Sequence, residues 1–392
     1  MTDCPSVFIA GTGCTTVGEH WGISLRHLAW EAVNSALASS MTNMTKKPDA
    51  IFVGNMLAPR LSQQQNVGVL VADFCGLRGT EAITVEAAGA SGAAAVRQAV
   101  LAIRSGEIST ALVVGVEKMT DAVGTDVTTA IASGADSDWE VAHGVTAPAI
   151  AALIMRRYMY EYGVPPDQFS GFAVNAHKNA ATNSNAMFRN LISREQYSRA
   201  PMVSSPVNVF DSAPDADGAS ALVITSLNRD FVPGKSIRIA ASSLSTDSLA
   251  IHDRDDILSF SAAQTSARSA YNQAGIDSNQ VDVAEIYDRF GVYTAMSLEA
   301  CDFVGRGSGW EMAQNGSISL DGSLPISTFG GLKARGNPGG ATGVYQIVEI
   351  AHQLAGTAGK NQVPDAKWAL AQCLGSSGAT AVTHILQMID SR

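Results

Sequence analysis

The chain has 392 residues, 46% of them hydrophobic, with a net charge of −10 and an isoelectric point near 5.1. That length fills two domains or one duplicated unit, and an acidic balance with no Lys/Arg cluster to offset it argues against a nucleic-acid partner. The five cysteines (Cys4, Cys14, Cys75, Cys301 and Cys373) are scattered without CxxC spacing. Neither a metal site nor a disulfide framework is therefore indicated, and no apolar run suits a membrane span, so a soluble cytoplasmic protein is expected.

In chain order, residues 6–13 read as a buried strand, 20–38 as an amphipathic helix and 50–54 as a second strand, a βαβ opening. Residues 61–75 have a helical pattern. Residues 82–88 read as a third buried strand, which passes at Gly89 into a helix of small residues from Ala90, and 109–116 form a fourth strand. This alternation predicts a mainly parallel, covered sheet. From 117 to 215 the chain is polar and irregular apart from helical runs at 147–162 and 170–183, an excursion that suits a lid, a binding surface or a subdomain. A strand resumes at 219–226. After a linker at 228–235 a second series follows: a segment at 236–243, helix 262–274, strand 281–287, helix 292–303, a glycine-rich loop, helix 341–354 and strands 368–374 and 380–388. The second half echoes the first in element order, without a residue-level repeat.

The stretch AITVEAAGASGAAAVRQAV (82–100) changes periodicity at Gly89. A strand-to-helix turn with glycine at its apex lets another group approach the backbone, and the free N–H groups of the new helix attract developing negative charge. Such turns often carry a nucleophile, but Gly89 has no side chain. Small residues here equally suit two helices crossing tightly, and the segment alone leaves both readings open.

Four separated stretches resemble the thiolase superfamily. VEAAGASGAAAVRQAV (85–100) is similar to its nucleophile segment, with Gly89 where a cysteine is usual, and GGLKARGNPGGATGVYQIVE (330–349) to its Gly-His-Pro loop, with Asn337 in place of histidine. EIYDRF (285–290) resembles the Asn-Glu-Ala-Phe or His-Asp-Cys-Phe loop, and CLGSSGATAV (373–382) the final Cys-x-Gly loop. HGVTAPAIAALIMRRYMYEYG (143–163), HKNAATN (177–183) and FDSAPDADGASALVITS (210–226) are similar to the archaeal and sterol-carrier-type branch. The resemblance implies an α/β thiolase fold, two similar βαβαβ halves in a five-layered αβαβα arrangement with an inserted loop domain. Its expected boundaries are 1–116 plus 216–232 for the first half, 117–215 for the loop domain and 233–392 for the second half. It further implies a homodimer and a coenzyme A tunnel shaped by the loop domain.

Position by position, the resemblance implies an altered site. Gly89 cannot form a thioester, and the neutral amide of Asn337 cannot act as a base, although it can donate to a thioester oxygen. The backbone N–H groups of Gly89 and Gly375 match one oxyanion hole, and Tyr287 matches the residue completing the other. Cys373 matches the acid/base cysteine and would carry protons at the α-carbon, the more so if backbone dipoles lower its pKa, or is a buried apolar thiol. Asp288 orients Tyr287 or caps the following helix. Arg289 departs from every family pattern and pairs either with an acidic substrate group or with Asp288. Ser91, Asp288, Gly340 and, ahead of residue 147, His143 are candidate substrate contacts, and His143 has a structural role as its alternative. His177 and Lys178 meet coenzyme A phosphates or form a solvated face. Gly336, Gly339, Gly340, Gly343 and Tyr345 serve the shape of a loop-to-helix turn. Cys4, Cys14, Cys75 and Cys301 have no motif context.

The expected function is to bind acyl-CoA thioesters and make or break a C–C bond by enolate stabilisation without a covalent acyl-enzyme, as in the steroid side-chain aldolases, which have a similar Tyr-Asp-x-Phe segment. Coenzyme A enters as part of the substrate, with no permanently bound cofactor or metal. The alternatives are an acetyl-CoA C-acyltransferase lineage that has lost its activity at Gly89 and a non-catalytic scaffold subunit. An OB-fold/zinc-ribbon partner protein is compatible with each.

Overall fold

Nine strands form one mixed sheet in the computed structural model of the chain, which describes residues 5–40, 47–228 and 230–390. The strands are β1 (Phe8–Cys14), β2 (Ala50–Gly54), β3 (Glu81–Val85), β4 (Thr110–Glu117), β5 (Met202–Ser204), β6 (Val207–Asn208), β7 (Gly218–Thr225), β8 (Lys235–Thr246), β9 (Val283–Ile286), β10 (Trp368–Gly375) and β11 (Thr380–Asp390). β5 and β6 pair separately as a small hairpin, and the others run in the order β3-β2-β4-β7-β1-β8-β11-β10-β9.

The expectation of a mainly parallel sheet is corrected. Only β2–β3, β2–β4 and β9–β10 are parallel, and the other five neighbouring pairs are antiparallel. Chain connectivity is the reason. A four-residue turn joins β10 to β11, and a connection that short cannot make a parallel pair. The long excursion after β4 likewise returns the chain to the opposite end of the sheet, so β7 enters antiparallel.

β2-β4-β7-β1 and β9-β10-β11-β8 have the same order and the same sense of pairing, a parallel pair followed by two antiparallel ones. The two sets meet at β1 and β8, where Phe8 and Ile9 face Arg238 and Ile237. Between them lie helices Ser91–Arg104 and Thr342–Ala355, packed on each other and on strands of both sets. Burial over most of their surface, with Gln98 and Leu101 of the first helix exposed, explains why their sequences are apolar or small around most of the circumference. At their crossing a Cβ on Gly92 would stand 2.7 Å from the Gly340 carbonyl oxygen. The tight-crossing reading of the small residues therefore holds at Gly92. Helix Leu25–Ser39 covers β1, β4 and β7, helix Val67–Phe74 covers β2 and β3, and helix Ser261–Ala274 covers β8, β10 and β11. Five layers result.

Other expectations shift locally. The helix expected over 61–75 is two, Ala58–Leu61 and Val67–Phe74, separated where Asn66 adopts φ +56°. β3 ends at Val85 and is an edge strand exposed along much of its length, because nothing pairs on its outer side. The excursion also holds helices Thr125–Ala132 and Arg194–Ser198. Of the cysteines without motif context, Cys301 is buried, Cys14 and Cys75 are half-buried, and Cys4 lies outside the described residues.

Candidate active site

The turn after β3 is held by hydrogen bonds between its backbone and two side chains, Ser91 and Glu86, the latter accepting from the Ala88 N–H. Ser91, fully buried, accepts from the Ala87 N–H at 2.9 Å and donates to the Ala88 carbonyl at 2.6 Å, while Ala88 adopts φ +50°. This corrects the reading of Ser91 as a substrate contact: both hydrogen bonds of its hydroxyl hold the turn that presents Gly89.

Gly89 faces Tyr287. A Cβ on Gly89 would lie closer to the Tyr287 hydroxyl than the 3.0 Å that real Cβ atoms essentially never undercut, and 2.8 Å from the Leu374 carbonyl oxygen. Behind it, the Cys373 thiol donates to the Gly89 carbonyl at 3.4 Å. Gly375 ends β10 with its Cα directed at the Ala87 carbonyl oxygen, so the backbones of the two glycine turns are in contact.

A narrow cleft opens from this point. Met56, Ile131, Val145 and Ile150 form its apolar side, and Tyr287, Arg289, Tyr293, Ser376 and Ser377 its polar side. The segment after β9 explains the division. Tyr287 and Arg289, two residues apart on extended chain, both line the cleft, whereas Asp288 between them points the opposite way. The buried Asp288 carboxylate accepts from the Leu332 N–H at 2.6 Å and the Ser327 hydroxyl at 3.1 Å. Asp288 therefore secures the loop ahead of Asn337. It does not cap the next helix, whose N-cap residue Phe290 has no side-chain cap.

Electrostatics set the protonation states. Burial pushes the Tyr287 phenol above its usual value, and the Arg289 guanidinium beside it acts in the opposite direction. Tyr287 is thus a neutral donor at neutral pH. Arg289 pairs with Asp215 at 3.3 Å rather than with Asp288, and the Asn337 side chain supports the same Asp215 carboxylate. Asn337 also accepts from the Thr342 hydroxyl at 3.1 Å and does not line the cleft. The expectation of a lowered Cys373 pKa is corrected: full burial raises it, so this thiol stays protonated.

Two further expected contacts lie elsewhere. His143 is exposed in the turn Val141–His143, and its neighbour Val145 lines the cleft instead. The Gly340 N–H donates to Glu117 at 3.0 Å. His177 is buried rather than solvated, with Nδ1 3.0 Å from the Asn190 carbonyl oxygen, and Lys178 is exposed. With Phe188, Phe210, Ala213, Pro214 and Lys333, His177 lines a second, largely apolar cavity of about 390 Å³. A backbone hydrogen bond links the walls of the two cavities, the Ala213 N–H donating to the Arg289 carbonyl at 2.8 Å.

The sequence reading missed Glu117 and Asp215. Glu117, at the end of β4, is fully buried and accepts from the N–H groups of Met56, Leu57 and Gly340 and from Asn55. It ties the cleft-lining Met56 to the loop before helix Thr342–Ala355. A carboxylate ending an otherwise apolar strand was the available signal. Among the described residues, no helix is long and apolar enough to cross a membrane, and no group of three His, Cys, Asp or Glu could hold a metal ion.

The family model "Thiolase, N-terminal domain" matches residues 7–204, and "Thiolase C-terminal domain-like" matches 243–388. The acetyl-CoA acetyltransferase of Methanocaldococcus jannaschii is 37% identical over 391 residues, covering 97% of this chain and 98% of its own. That of Methanothermobacter thermautotrophicus is 36% identical over 381 residues, with coverage of 97% and 98%. Among solved structures, "Ltp2-ChsH2(DUF35) aldolase" superimposes with a TM-score of 0.82 at 25% identity, covering 97% of each chain.

Proposed function

The chain belongs to the thiolase family, and from that premise we propose that it acts on acyl-CoA thioesters and makes or breaks a C–C bond through an enolate, without a covalent acyl-enzyme. The observation that carries this reading is the Tyr287 hydroxyl, which fills the space where a side chain on residue 89 would carry an acyl group. The aldolase among the structural relatives supports the same direction.

In the cleavage direction the substrate is a 3-hydroxyacyl thioester. The hydroxyl proton leaves to water, its O–H pair forms the product carbonyl as the Cα–Cβ bond breaks, and the Cα–Cβ pair moves into the thioester as an enolate while the carbonyl product departs. The released proton restores the Tyr287 phenol once that phenol has protonated Cα. Proton return to Cα then yields the shortened acyl-CoA. The neutral Tyr287 phenol donates to the developing oxyanion and delivers the proton to Cα, and Arg289 stabilises the phenolate left behind. Backbone N–H groups at Gly89 and Gly375 supply further donors. The apolar cavity at Ala213 and Pro214 takes the pantetheine arm, and the cleft takes the acyl group. Acetyl transfer, the activity for which the archaeal relatives are named, needs a nucleophile that Gly89 does not provide.

We further propose that the chain works as a homodimer beside an OB-fold/zinc-ribbon protein, a reading supported by the DUF35 partner named for the aldolase. Two measurements test the function. Incubation with a 3-hydroxyacyl-CoA is expected to release a carbonyl product and a shortened acyl-CoA, read by chromatography and mass spectrometry. Intact-protein mass after incubation with acetoacetyl-CoA is expected to be unchanged. An acetyl adduct on the native chain overturns the non-covalent mechanism.

A further inference from the structure

We propose that Arg289 is an anion-recognising residue of the cleft, so that the acyl-CoA taken by this chain carries a second acidic group, most simply a carboxylate, on its acyl part. This rests on the acyl-CoA reading above and narrows its substrate class.

The placement of Arg289 carries the argument. It shares the cleft-facing side of the 287–290 segment with Tyr287, so a group at the catalytic turn lies within reach of both. Its guanidinium has five donors in a fixed fork suited to a carboxylate. One of them meets Asp215, at the long distance of 3.3 Å, and the buried Nε has no partner. Its Cζ rests 5.6 Å from the Phe290 ring centroid, a cation–π contact that restrains the side chain. An orphaned donor in a dry wall is costly unless a ligand satisfies it, and a carboxylate on the acyl group provides the missing acceptor.

Local contrast strengthens the case. The cleft is otherwise lined by apolar side chains such as Ile131, Val145 and Ile150 and by neutral hydroxyls, and among the described residues no other lysine or arginine lines it. Asp215 neutralises the resting guanidinium, and a plain alkyl chain would still leave its Nε without an acceptor.

The test compares two probes of nearly equal size, succinyl-CoA and butyryl-CoA, by titration calorimetry on the full chain and on Arg289→Gln. The native chain is expected to bind succinyl-CoA about tenfold or more tighter than butyryl-CoA, with Arg289→Gln reducing the ratio between the two probes to within about threefold. A residue that only positioned Tyr287 would not move this ratio. Equal binding of both probes by the native chain, with 3-hydroxyacyl-CoA cleavage intact, overturns this inference alone. A preference surviving in Arg289→Gln overturns it too. Binding of neither probe removes the acyl-CoA reading and the inference with it. Should the variant fail to fold, the native comparison still decides.

Discussion

Tyr287 and Gly89 are complementary: the hydroxyl of the first occupies space that any side chain on the second would need. The absence of a nucleophile at residue 89 and the presence of a phenol at residue 287 are one structural change, since a full-size side chain cannot stand at both positions without movement.

That relationship makes Gly89→Cys a test of packing. A Cβ there meets both the Tyr287 hydroxyl and the Leu374 carbonyl, and overpacking of this kind costs about 1–3 kcal/mol. Urea unfolding should show Gly89→Cys destabilised by that amount and Gly89→Cys/Tyr287→Asn partly restored. A coupling energy of about 0.5–3 kcal/mol between the two changes is expected. Strict additivity would mean that the two residues do not compete for space.

Tyr287→Phe removes the hydroxyl and keeps the ring. Loss of a positioned proton donor lowers the cleavage rate by about 10²–10⁴-fold. The thermal midpoint should change little, because the ring supplies most of the packing. Steady-state assays on a 3-hydroxyacyl-CoA, with circular dichroism melts alongside, check both halves of this expectation.

Glu117 makes stability depend on pH. Burial, the largest influence, raises its carboxyl from 4.5 to about 7 against the four hydrogen bonds that favour the charged form. A carboxyl whose folded pKa lies above its unfolded value contributes stability that is fully present below about 4.5 and is lost as pH rises through about 7. The stability of the native chain relative to Glu117→Gln should therefore fall by about 3 kcal/mol between pH 4.5 and 7.5. Denaturant titrations at several pH values read the difference directly.

His384 acts in the opposite sense. Burial lowers its imidazole from 6.5 to about 4, with Nε2 3.1 Å from the Ala93 carbonyl oxygen and Nδ1 unpartnered. Its contribution is present above 6.5 and is lost as pH falls towards 4, because the folded core resists the proton that the unfolded chain accepts. His384→Gln should remove about 3 kcal/mol of acid sensitivity across that window. Measurement of urea midpoints from pH 7 to pH 4 checks it.

The local signals in the sequence read well where one short-range cause dominates. Helix Ala147–Tyr162 has the expected bounds, because Pro148 after a Thr146 cap fixes its start and Gly163 with φ +65° its end. Glycine at position 89 announced a lost nucleophile, and tyrosine and arginine in 285–290 announced a departure from the thiolase pattern, because residue type alone limits the chemistry available.

What the sequence by itself determined was the alternation of elements, their order in two similar series and the lack of a nucleophilic side chain at residue 89. The tertiary structure decided the rest. Strand direction depends on where a hundred-residue excursion returns, which no window of sequence contains. The partners of Arg289 and Asn337 lie across the fold in Asp215, and the role of Ser91 was decided by the turn that its hydroxyl holds. Protonation followed the same rule: Cys373 and Tyr287 are raised by burial, a property of the packed surroundings that residue identity does not carry.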